Sequence, residues 1–179
     1  GGVIVASSEL GADIGAGGTN STDPKGYGGK GIVKISGGTI TSNTGGIGGG
    51  RANAGVGGDS EITISGEKTK IEANSIGGGR SAKRTGGNVT LNVSGGELNV
   101  ADFIGGGIGG ADKNLIGWAK VSISGGEISG RTVMRASTSG GCEFNMTGGR
   151  LTSPIQNQPG GAVYMIDPKG VATMSGGTI

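Results

Sequence analysis

The sequence predicts an all-β fold, a single-stranded parallel β-helix (β-solenoid) of about six coils of roughly 28–30 residues each. Three observations carry that prediction. A short motif recurs at nearly constant spacing, its apolar positions alternate with period two, and 46 of the 179 residues are Gly. The motif, apolar-x-apolar-Ser-Gly-Gly-x-apolar, reads VKISGGTI at 33–40, LNVSGGEL at 91–98, VSISGGEI at 121–128, FNMTGGRL at 144–151 and ATMSGGTI at 172–179. ITISGEKTKI at 62–71 is a variant with one Gly lost and a small insertion. The hydroxyls of Ser36, Ser65, Ser94, Ser124, Thr147 and Ser175 mark the repeats, with spacings of 29, 29, 30, 23 and 28.

Each copy begins with a strand. One residue before the hydroxyl stand Ile35, Ile64, Val93, Ile123, Met146 and Met174; three before it stand Val33, Ile62, Leu91, Val121, Phe144 and Ala172. Between them lie Lys34, Thr63, Asn92, Ser122, Asn145 and Thr173, so one side of the strand is apolar and the other polar. The Gly-Gly corner that follows permits a tight turn where a Cβ would clash. Four places after the hydroxyl, five of six copies again carry Ile or Leu, which starts a second strand. A third signature comes next: DIGAG at 13–17, GIGGG at 46–50, SIGGG at 75–79 and FIGGG at 103–107, with Val133 and Ile155 expected in the same place in two degenerate copies. A longer variable stretch then leads to the next motif.

Apolar columns of this kind are buried by stacking one coil on the next. About six coils at the ~4.8 Å strand spacing make a rod of roughly 29 Å, and parallel crossovers favour the right-handed form. With two Phe, one Trp and two Tyr in the whole chain, the interior must be narrow and filled by Ile, Val and Leu. Residues 1–179 are expected to form one solenoid segment. The chain starts and stops at the same corner phase with no polar cap, which suggests a segment of a longer repeat protein, or ends that stack on neighbours.

Composition removes several function classes. Fifteen basic residues against 13 acidic ones imply neither nucleic acid nor an anionic membrane as partner. No apolar run approaches the ~18 residues of a membrane span. The chain has no His, which rules out a Ser-His-Asp triad and most zinc sites, and its single Cys forbids an internal disulfide framework. Collagen is excluded because Gly holds no every-third register and there are only four Pro. A calcium β-roll would place Asp six residues into GGxGxDxUx, where GGKGIVKIS (28–36) has Val33. No cofactor and no metal are expected.

The pairing of VSISGGEI with SIGGG and FIGGG resembles the Gly-rich parallel β-helix regions of bacterial cell-surface and secreted adhesin-like proteins. The resemblance is one of architecture over nearly the whole chain. It implies an extracellular, bacterial-surface location and an adhesive or structural role, and it transfers no catalytic residue.

Candidate sites fall in the variable stretches 15–31, 51–60, 80–88, 107–119 and 156–170, which a solenoid presents on one face. Tyr27, Trp118 and Tyr164 lie there and either stack sugar rings or, the simpler reading, fold down onto the solenoid wall. Arg51 and Arg80 each follow IGGG, so they should stack on adjacent coils. With Arg84 they could clamp a carboxylate or sulfate, against the simpler reading of solvated charges. Glu67, Glu97 and Glu127 near one corner suggest the spacing of a glycosidase pair, or more simply a solvated edge. The Gly triplets 48–50, 77–79 and 105–107 form a side-chain-free strip that admits another backbone or a flat ligand, or else only serves the corner. Cys142 falls in a column of small residues and is read as a core thiol. The function expected is a non-catalytic structural or adhesive segment. Alternatives are a carbohydrate-binding module using the loop face and, behind it, a polysaccharide lyase or hydrolase. Partners expected are a glycan, a host or neighbouring surface protein, and further copies stacked end to end.

Overall fold

A computed structural model describes residues 2–9, 11–110, 115–136, 142–153, 162–165 and 169–179. Its strands, in chain order, are β1 (Val3–Ala6), β2 (Ile14–Gly15), β3 (Gly31–Ile35), β4 (Thr39–Ser42), β5 (Ile47–Gly48), β6 (Ser60–Ile64) and β7 (Lys70–Gly77). They continue with β8 (Val89–Gly105), β9 (Ala119–Ala136), β10 (Glu143–Met146), β11 (Arg150–Thr152), β12 (Val163–Met165) and β13 (Val171–Met174). Every pairing between these strands is parallel, and no helix occurs among the described residues. The chain is a β-solenoid.

Three faces wind around one core. The first stacks β3, β6, the start of β8, the start of β9, β10 and β13. Six strands on this face enclose five full turns, and paired residues lie 29, 29, 30, 23 and 28 apart, as the hydroxyl spacing predicts. The second face stacks β1, β4, β7, β8, β9 and β11, and the third β2, β5, then the later parts of β7, β8 and β9, then β12. Strands β7, β8 and β9 therefore run round corners instead of stopping at them.

The apolar columns are the core. Val33, Ile62, Leu91, Val121 and Phe144 stand in register and are each at least nine-tenths buried, as are Ile35, Ile64, Val93, Ile123 and Met146 beside them. On the second face Ile40, Ile71, Leu98, Ile128 and Leu151 do the same, and Ile47, Ile76 and Ile104 do so on the third. Each buried side chain of this size contributes roughly 1.5–3 kcal/mol over leaving it in water. Cys142 is buried in this core, as its small-residue column predicts. Among the described residues, Ile4 and Met174 carry core columns onto the first and last strands and are exposed there, while Val3, Val5 and Val171 stand in the outward rows of Thr39, Thr41 and Glu143.

The variant repeat shows how the register survives an insertion. Lys68 and Thr69 lengthen the corner into a small turn in which the Thr69 N–H donates to Gly66 O (3.0 Å). The wholly buried Thr69 hydroxyl donates to Ser65 O, and Thr69 O accepts from Glu97 N–H (2.8 Å). Ile71 thereby reaches the position that Ile40 and Leu98 fill on either side.

The long stretches between the third face and the next motif are built on glycine. Each goes out and comes back, and the two limbs interleave along the solenoid axis. Gly29 N–H donates to Gly17 O, Gly50 to Gly29, Gly58 to Gly50, Gly79 to Gly58, Gly87 to Gly79, Gly107 to Gly87 and Gly117 to Gly107, all at 2.8–3.0 Å. Seven bonds thus form one unbroken axial ladder that alternates between outgoing and returning limbs. A Cβ on Gly50, Gly58, Gly79, Gly87, Gly107 or Gly117 would stand 1.9–2.0 Å from a carbonyl oxygen. So the triplets do more than serve the corner: only their first members, Gly48, Gly77 and Gly105, take a positive φ, of 135–150°. The side-chain-free strip does admit another backbone, and that backbone is the chain's own. Among the described residues the ladder runs as far as Gly117; on the following coil Arg135 stands opposite Gly105, and the turn from Lys120 to Glu143 shortens to 23 residues.

Candidate functional site

Beyond the ladder only the tips of the long stretches remain, and these stack as well. Thr19, Ala52 and Ser81 pair in parallel, Ala52 and Ala54 are buried, and the Ser81 hydroxyl donates to Gly55 O (2.6 Å) while accepting from Arg84 N–H (2.9 Å). The expected face of free loops is therefore a second stacked layer.

The three aromatic residues expected there do not gather on it. Tyr27 is exposed on the first tip. Trp118 is half-buried; its backbone N–H donates to Asn88 Oδ1 (3.0 Å), and it borders a small hollow with Lys30, Asp59 and Thr90. Tyr164 sits in β12, opposite Arg135, where a loop was expected. The Trp118 hollow has neither tyrosine in its wall. Ile155 lies outside the described residues; on the third face it is Val163–Met165 that pairs with β9.

The two arginines after the Gly triplets do come together. Ala52 N–H donates to Arg80 O (2.8 Å), and Ala52 pairs with Ser81, which puts Arg51 and Arg80 on adjacent rungs. Both line a recess of about 330 Å³ whose floor is the backbone of Gly49, Gly77, Gly78 and Gly79. The other side chains in its lining are those of Ser8, Glu9, Thr44, Ile47 and Ser75. Arg80 is held in place: its guanidinium lies 2.9 Å from Asp102 Oδ2 and 5.6 Å from the centroid of the Phe103 ring. Arg51 has no ion-pair partner among the described residues. Arg84 is exposed and stands outside the recess wall.

Beside the recess, Asp13 ties the first coil to the second. Its Oδ2 accepts from Ser42 Oγ (2.8 Å) and Thr44 N–H (2.9 Å), and its Oδ1 from Gly45 N–H (2.9 Å). Partial burial pushes its pKa up, but these donors together outweigh that and hold it below the usual carboxylate value.

The row of acids behaves differently from its sequence spacing. Glu97 and Glu127 are direct neighbours, but Lys70 takes the next place in the row instead of Glu67, because the turn at 66–69 moves Glu67 out of register. Lys70 Nζ lies 3.5 Å from Glu97 Oε2, Arg150 pairs beyond Glu127, and the row is exposed. A second opening was not anticipated. It is a shallow groove of about 460 Å³ along the corner between the second and third faces, edged by the in-register row Thr41, Glu72, Asn99 and Ser129. Its signal was in the sequence: three of these stand five places after the motif hydroxyl.

No group of three or more His, Cys, Asp or Glu placed to hold a metal ion occurs among the described residues, and no helix there is long and apolar enough to cross a membrane. Fold and surface together define a parallel β-solenoid with a layered glycine face and an arginine-lined recess. No protein-family model matches the chain, and comparison with curated proteins and with solved structures yields no match.

Proposed function

We propose that the chain is a non-catalytic structural and adhesive segment of an extracellular, bacterial cell-surface protein. The observation that carries this is the double axial stack: apolar columns through every coil, and an all-backbone ladder beside them. Such a build resists bending and unravelling, and repeats that contact only their neighbours can be lengthened without new design. The acids that a glycosidase would need are exposed and flanked by Lys70 and Arg150. Two measurements test the reading: protease shaving of intact cells expressing the full-length protein should remove the segment. Incubation with a polysaccharide panel should release neither reducing ends nor unsaturated products. A protected segment or steady turnover would refute it.

A second reading, a glycan-binding module, is favoured by one observation. The recess at Arg51 and Arg80 offers charge and hydrogen-bonding groups over a floor free of side chains.

A further inference from the structure

We infer that this recess is a binding site for a carboxylated sugar, a uronate unit of an acidic polysaccharide, with Arg51 as the group that takes the carboxylate. The inference rests on the glycan-binding reading and names its ligand class and site.

Three features point to it. The first is the floor. Gly49, Gly77, Gly78 and Gly79 present bare backbone, and on Gly49 and Gly78 a Cβ would stand 1.9–2.0 Å from the carbonyl oxygens of Gly58 and Gly87. Close packing inside the ladder thus keeps this part of the lining free of side chains, so that a sugar ring can approach the backbone closely. The second is the arginine pair. Adjacent rungs place Arg51 and Arg80 on one side of the recess, and Asp102 and Phe103 already fix Arg80. Asp102 pairs with Arg80, which leaves Arg51 as the recess guanidinium with no ion-pair partner among the described residues, and its planar fork suits a carboxylate.

The third feature is the rest of the lining. Ser8 and Ser75 bring hydroxyls and Glu9 a carboxylate, while the Thr44 hydroxyl is already held by Ser8 and Asp13. A carboxylate accepts hydrogen bonds from sugar hydroxyls, and it repels a dianion such as sulfate about twice as strongly as a singly charged uronate. One cationic fork and one acceptor in the same recess match a ligand that carries a single negative charge and several hydroxyl donors. The recess volume of about 330 Å³ has room for one such ring at the lower end of small-ligand sites.

The test uses the full chain and four probes in titration calorimetry with saturation-transfer NMR: glucuronate, an oligogalacturonate, glucose and inorganic sulfate. The expected result is glucuronate binding in the millimolar range, with the oligogalacturonate at least as tight and glucose and sulfate at least tenfold weaker. Arg51→Ala should weaken glucuronate at least tenfold and Arg51→Lys by less. Raising salt from 50 to 500 mM should weaken it too. Arg51 is exposed, so both variants should keep the wild-type circular dichroism and melting curve. Equal binding of sulfate and glucuronate would overturn the sugar assignment. Uronate binding that Arg51→Ala leaves unchanged would overturn the site. If glucose binds and Arg51→Ala has no effect on it, the glycan-binding reading stands and this inference falls. No binding by any probe at 50 mM would remove both.

Discussion

Replacing Gly58 by Ala tests the ladder directly. The added Cβ would sit 1.9 Å from Gly29 O and 2.7 Å from Gly29 C, both backbone atoms of the preceding coil. Those atoms cannot yield alone, because Gly29 O accepts from Gly50 N–H, and Gly58 itself donates to Gly50 O and accepts from Gly79 N–H. Making room therefore breaks or stretches about two hydrogen bonds, ~2 kcal/mol, and adds overpacking strain of about 1–3 kcal/mol. Loss of glycine's freedom in the unfolded chain returns about 0.4–1 kcal/mol. The net expectation is a loss of roughly 2–4.6 kcal/mol. Gly17→Ala is the internal control: Gly17 opens the same ladder, yet its Cβ would meet nothing within 4 Å, so the change should cost under about 0.5 kcal/mol. Urea unfolding followed by far-ultraviolet circular dichroism and by Trp118 fluorescence, beside Gly117 in the ladder, measures both. If the two variants melt within 0.5 kcal/mol of each other, the interleaved ladder is not what makes these glycines necessary.

Three further outcomes are expected. Ile64→Ala should cost about 2–5 kcal/mol, because Ile64 is wholly buried mid-column, whereas Ile4→Ala should cost far less, because Ile4 is half exposed on the first coil; denaturant midpoints compare them. Ser60→Ala should raise stability by about 1 kcal/mol, since the buried Ser60 hydroxyl has no hydrogen-bond partner among the described residues; a fall in the midpoint would show that the hydroxyl is satisfied in solution. The folded-state pKa of Asp13 is depressed, so its contribution is fully present above the unfolded value near 3.9 and is lost as pH falls through the folded value. Asp13→Asn should therefore lower the melting temperature at pH 7 and converge with the wild type in acid, which thermal melts from pH 7 to 2.5 will follow.

Much of this architecture could be read before folding. Period-two columns from Val33 to Phe144 and from Ile35 to Met146 identify the first face, since a strand shows alternate residues to one side and identical coils repeat the same choice. The hydroxyl spacing carried the register through the short turn of 23 residues. Even Cys142 could be placed, because its column of small residues has to face inward. The pairing of Arg51 with Arg80 followed from their identical place after IGGG.

Other features needed the third dimension. That Gly58 lies between Gly50 and Gly79 is a relation between two limbs of different coils, and no local pattern encodes which limb fills which gap. Glu67 left its row because a two-residue insertion was absorbed as a turn at the corner, with Lys70 moved into its place. Tyr164 became a strand residue through its pairing with β9. Glu9 and Ser8 reach Arg51 and Arg80 only because successive coils stack, which brings together residues more than 40 apart in the chain. The repeating chain by itself determined what is stacked, since identical units must bury identical columns. Which surfaces meet across the returning limbs, and so where a ligand finds space, was decided by packing alone.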